Sequence, residues 1–253
     1  MDKKIGMKKD NPARIAKLVL TLLKENADPR QARMNQRFFK EPVKTYGLRA
    51  HAMRDIAKQV YGIIKPQWKV EEVIMLGDIL LPHPYVEAKV IVALLLNKFS
   101  RDLLKEVFFK VEEWLSSDYF NNWAAVDVLC PDVVGSLLLK YAELRDKILE
   151  WPSSSNKWLR RAAAVSFILI ARKGKMLDTV YKIPPLLFRD DEDIVQKANG
   201  WLLKEAGKTD SKRLKDFLLE HGPSIPRTTL RYAIEKFNAE ERKEILSQTR
   251  KLR

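Results

Sequence analysis

KWLRRAAAVSFILIAR, residues 157–172, decides how this chain is read. Its apolar residues recur at three- and four-residue spacing, the period of one helix face. The core of the stretch, AAAVSFILIA (162–171), is flanked by Arg161 and Arg172. It has about half the ~20 residues a membrane span needs, so it predicts a buried helix. DIVQKANGWLLKEAGK (193–208) starts 36 residues later with the same period. PARIAKLVLTLLKENA (12–27), PYVEAKVIVALLLNKF (84–99) and RTTLRYAIEKF (227–237) follow it too. No alternating run predicts a strand. Pro29, Pro66, Pro82, Pro84, Pro131, Pro152, Pro184, Pro185, Pro223 and Pro226 punctuate the helices.

The helices repeat. Val90, Val126, Ala162, Ala198 and Ile234 are spaced by 36 residues, each inside an apolar helix. That is the spacing of HEAT-like helix pairs. The expectation is an all-α fold, a curved α-solenoid forming one domain over residues 1–253 with a concave binding face. One position before three of the aligned residues stand Lys89, Arg161 and Lys197. They are read either as ordinary solvated helix residues or as a basic stripe along one face.

The totals point the same way. Of 253 residues, 46% are hydrophobic, enough for a substantial core. Nine Gly are few for a turn-rich fold. A net charge of +14 favours a polyanionic partner. The ends, MDKKIGMKK and RKLR, are basic, and no apolar signal core is read at the N-terminus. The single cysteine, Cys130, cannot form an internal disulfide, which fits a reducing cytoplasm.

Several chemistries have no support. His51, His83 and His221 lack metal-ligand spacing, and no metal or cofactor is expected. Gly207-Lys208-Thr209 resembles the end of a phosphate loop, but Leu202 stands where its first Gly would be. It reads as a helix end. Cys130, before Pro131, reads as a small core residue.

What remains is a set of polar and aromatic residues in consecutive repeats. Trp123 and Asp127 in NNWAAVDVLC lie four apart, on one helix face. Arg161 follows in KWLRRAAAV, and Trp201 in VQKANGWLLKEAGK. Taken singly, a solenoid Trp is more often core and a helical Asp or Arg more often solvated.

Together they resemble the AlkD-type DNA alkylation repair proteins, the HEAT-like-repeat glycosylases that excise alkylated purines. The W-x-x-x-D pair matches that family's Trp and catalytic Asp. WLRRAA places its active-site Arg at Arg161, and QKANGWLLKEAGK places its second Trp at Trp201. Upstream, RFFKEPVKTYGLRAHAMRDIAK (37–58) resembles another family segment, with Phe38 where the best-known form has Tyr. The resemblance spans roughly residues 30–237. It implies catalytic roles for Asp127, Trp123 and Trp201. It implies DNA contacts at Arg161 and Phe38, to which the basic stripe adds Lys89 and Lys197.

These residue types suit the reaction. A purine alkylated at ring nitrogen 3 or 7 is cationic, so it departs neutral without a general acid. Indole faces attract the cation. A carboxylate stabilises the sugar cation that forms as the bond breaks, and it can hold the attacking water. An Arg would clamp a phosphate. The expectation is base excision without strand cleavage, by a monomer in the cytoplasm or nucleoid, on duplex DNA containing alkylated bases, with no membrane involvement. Binding should weaken steeply with salt. Asp127 is expected near the surface, not in the core. The alternatives are a non-catalytic binder of damaged or branched DNA and a protein-interaction scaffold.

Overall fold

The computed structural model describes residues 11–250. The basic stretches MDKKIGMKK and KLR lie outside them. The all-α, helix-repeat expectation is met: the described residues form helices and turns, with one isolated bridge between Lys44 and Tyr85. The chain divides into two compact units, Met1–Leu103 and Leu104–Arg253.

The first unit holds α1 (Pro12–Glu25), α2 (Pro29–Asn35), α3 (Ala50–Ile64), α4 (Val70–Leu80) and α5 (Val86–Lys98). Asn11 caps α1, and Asp28 caps α2 by accepting from the Arg30 and Gln31 amides. Ile15, Val19 and Leu23 of α1 are buried, as are Val60 and Ile64 of α3. α1 packs on α4, and α5 packs on both α3 and α4. On α5, Glu87 is buried and organises the segment Thr45–Leu48. Its carboxylate accepts from the Thr45 hydroxyl and from the amides of Tyr46, Gly47 and Leu48. Gly47 sits at φ +87°, with the Asp28 carbonyl only 2.2 Å from where a side chain would begin, so only glycine fits.

The second unit begins with α6 (Glu106–Ser116), α7 (Trp123–Leu129), α8 (Gly135–Lys140), α9 (Leu144–Ile148), α10 (Lys157–Val165) and α11 (Ile168–Arg172). It continues with α12 (Leu177–Val180), α13 (Ile183–Leu186), α14 (Asp193–Gly207), α15 (Ser211–His221), α16 (Arg227–Ala233) and α17 (Ala239–Gln248). α7 packs on α10, α10 on α14, and α14 on α16. These are the 36-residue repeats, and Val126, Ala162, Ala198 and Ile234 are all buried, as is Val90 in the first unit. Small residues let the helices approach. At Gly200 a methyl group would stand 2.5 Å from the Thr229 carbonyl of α16.

Candidate active site

α7 is set up by its cap. The Asn122 side chain accepts from the Ala125 amide at 2.9 Å and starts the helix at Trp123. Ala125, Val126 and Leu129 are buried, while Trp123 and Asp127 are half-buried. After Leu129 the helix passes through a π-type turn, Cys130–Val134. Pro131 has no amide to give the Asp127 carbonyl, and the turn is closed instead by the Gly135 amide on the Cys130 carbonyl.

Asp127 faces Arg161 of α10. The Nε of Arg161 donates to Oδ1 at 3.0 Å and Nη2 donates to Oδ2 at 2.7 Å, a two-pronged pair. Nη1 donates to the Ile194 carbonyl of α14. One guanidinium thus joins α7, α10 and α14. The free phosphate clamp expected of Arg161 is not what this geometry gives. Its side chain is 7% exposed and three of its nitrogens are engaged, whereas Asp127 keeps 19% of its side chain open. Burial pushes the Asp127 pKa up and the Arg161 charge and hydrogen bonds pull it back, with burial the larger effect. A carboxylate has about four acceptor positions. Arg161 uses two, and no other described side chain is seen to take the rest.

The neighbouring arginine works differently. Arg160 grips Asp190 at 2.6 Å and donates to the Ser154 and Ser155 carbonyls, tying α10 to the segment before α14.

Trp201 on α14 is held by a group that the sequence reading passed over. Its indole N–H donates to Glu205 at 3.0 Å, and the Arg172 guanidinium lies 5.7 Å from its ring centre. Glu205 is buried and also accepts from Arg172 at 3.1 Å and Lys208 at 2.9 Å. Burial raises its pKa, but the hydrogen bonds from Lys208, Arg172 and Trp201 outweigh it and hold the carboxyl below its ordinary range. The signal was present: Trp201 and Glu205 repeat the four-residue spacing of Trp123 and Asp127.

The basic stripe does not form as expected. Lys89 is 4% exposed, and its ammonium donates to the Leu81 carbonyl at 2.8 Å. α5 is apolar almost all round, so the position that looked outward is enclosed. Desolvation lowers the Lys89 pKa to about 8. Arg161 is buried in its ion pair. Lys197 is the exposed member, 2.7 Å from Asp193, and that bond raises its pKa. Phe38, 71% exposed, stands in the turn Gln36–Phe38 of the first unit, while Asp127, Trp123, Arg161, Lys197 and Trp201 belong to the second. Cys130 is fully buried and its thiol pKa is pushed up by burial, which makes it unreactive. Among the described residues no cluster of His, Cys, Asp or Glu is arranged to hold a metal ion, and no helix is long and apolar enough to cross a membrane.

The arrangement presents a carboxylate fixed by Arg161 one helical turn from Trp123, while Trp201 is held separately by Glu205 and Arg172. No curated protein matches the chain. A solved structure described as a predicted DNA alkylation repair enzyme from Enterococcus faecalis shares its fold, with a TM-score of 0.72 at 17% identity. The match covers 84% of this chain and 97% of that one. Residues 19–237 match the family described as DNA alkylation repair enzyme. Because that match spans most of the sequence, the chain belongs to the DNA alkylation repair enzyme family.

Proposed function

We propose that this protein is a monofunctional DNA glycosylase that hydrolyses the N-glycosidic bond of cationic alkylated purines, such as 3-methyladenine and 7-methylguanine, in duplex DNA. The whole chain acts as one DNA-binding domain. The observation that carries the reading is the Asp127 carboxylate, oriented by Arg161 and still partly open to solvent.

In the step proposed, the bond from the sugar C1′ to the base breaks, and its electron pair goes to the base. The pair neutralises the ring cation, so the base leaves uncharged. Positive charge passes to the sugar, where Asp127 stabilises it. Water adds at C1′ and its proton passes through Asp127 to solvent. Trp123 and Trp201 attract the cationic base before it leaves. Arg161 is a positioning residue in this scheme: it fixes the plane of the carboxylate instead of holding a phosphate. Lys197 and Phe38 stay as proposed DNA contacts. Lys89, enclosed and bonded to Leu81, has no such role.

A second reading has an observation in its favour. The same ion pair offsets the charge of Asp127, which would suit a protein that binds altered DNA without cleaving the glycosidic bond. Release of free 7-methylguanine from a methylated duplex separates the two, with wild type beside Asp127→Asn. The glycosylase reading expects release by wild type and a rate lower by about 10² or more in the variant. Equal release by both proteins, or none from wild type with duplex still bound, would overturn it.

A further inference from the structure

A cavity of about 730 Å³ opens in the second unit, away from the Asp127–Arg161 pair. It is lined by the segment before α14, the loop before α16 and the end of α17. Arg189, Arg227, Arg231 and Arg250 all line it, and all four are exposed. Two carboxylates also reach it, Asp190 and Asp191, but Asp190 is already held by Arg160 at 2.6 Å. Among the described residues Arg227 bonds neutral groups, the Thr249 hydroxyl at 3.3 Å and the Leu246 carbonyl at 3.5 Å. No ion pair of Arg231 or Arg250 is seen among the described residues. Desolvation, with the nearby charges of Arg231 and Arg250, lowers the Arg227 pKa. Like charges that face one another this way cost stability unless an anion joins them.

We infer that this arginine cavity is a phosphate-binding site that grips the DNA backbone, an inference that rests on the DNA-directed reading above. Guanidinium forks match phosphate oxygens in shape and charge. The net charge of +14 and membership of a DNA repair family favour a polymer over a small free anion. Gln196 lines the cavity, and two residues before it on α14 is Ile194, whose carbonyl holds Arg161. Ile194 and Gln196 thus stand in one turn of α14, about 3 Å apart along its axis. A strand carries one phosphate about every 3.4 Å of duplex axis.

The test is duplex affinity by fluorescence anisotropy over a range of salt, using an undamaged oligonucleotide. The variant combines Arg231→Ala with Arg250→Ala. Arg227 is left in place because it also binds Thr249 and Leu246. A control of equal charge loss combines Arg242→Ala with Lys243→Ala, both exposed on α17. The cavity variant is expected to bind about tenfold or more weakly, with a log–log salt dependence shallower by about one, while the control stays near wild type. Equal losses in variant and control would overturn the inference, as would an unchanged affinity and slope. If inorganic phosphate raises the melting temperature of wild type but not of the variant, while duplex affinity is the same in both, the cavity is a free-anion site and the backbone assignment fails. Wild type that binds no duplex overturns the DNA-directed reading itself, a result distinct from a variant that binds as well as wild type.

Discussion

Asp127 must be ionised to stabilise a sugar cation, and its pKa is raised above 3.8, chiefly by burial. Base release is therefore expected to fall as pH drops through a value above the ordinary carboxylate range. A single-turnover pH profile checks it: an acid limb at or below 3.8, or one that Asp127→Asn leaves in place, would count against the assignment. The Lys89 pKa is shifted the other way, downward, and its effect is on stability. Its pKa is about 8 when folded against 10.5 when free. Between those values the unfolded chain holds a proton that the folded chain has shed, so native stability rises with pH across that window. Wild type should accordingly gain on Lys89→Met in urea unfolding as pH climbs from about 8 to 10.5, and a constant gap would show that the ammonium is solvated. At this scale the sequence was legible where chemistry follows spacing. Trp123 and Asp127 are one helical turn apart, and the structure sets them on one face. Lys89 was misread because periodicity gives the side of a helix, not whether other helices cover that side. The partner of Arg161 was illegible because it lies 34 residues away and its other anchor is a main-chain carbonyl.

The helices were read correctly in kind, and all five residues aligned at 36-residue spacing are buried. That spacing survives because each repeat must bury the same face against its neighbours. The small breaks were harder to see. WLRRAAAVSFILIAR reads as one long helix, but the chain forms α10 and α11 with a turn at Ser166 and Phe167. NNWAAVDVLC reads as one helix too, and Pro131 turns its end into a wider coil. Gly200 shows the packing constraint most directly. Alanine would favour the helix by about 1 kcal/mol, yet its methyl would meet the Thr229 carbonyl at 2.5 Å and the Tyr232 Cβ at 2.4 Å. Overpacking of this kind costs about 1–3 kcal/mol, so Gly200→Ala should lower the melting temperature. An unchanged or raised midpoint would mean that α14 and α16 can part freely.

For the whole molecule, the positive charge forecast an anionic partner, and membership of a DNA repair family agrees with that. Charge totals do not say where the cations stand. Many are spent on carboxylates, as Arg160 is on Asp190 and Lys204 on Glu235, while among the described residues no ion pair engages Arg227, Arg231 or Arg250 at the cavity. The Arg161 contact has a further consequence. Repeat proteins behave nearly as one-dimensional chains, in which each unit is coupled to the next and to little else. Arg161 ties the two neighbouring interfaces of α10 to each other, because one side chain bonds both α7 before it and α14 after it. Loss of one interface weakens the other, so the central repeats should melt together as one cooperative block. Arg161→Met should uncouple them and broaden the thermal transition more than it lowers the midpoint. A transition that shifts but stays as sharp would place the cooperativity in the apolar interfaces alone.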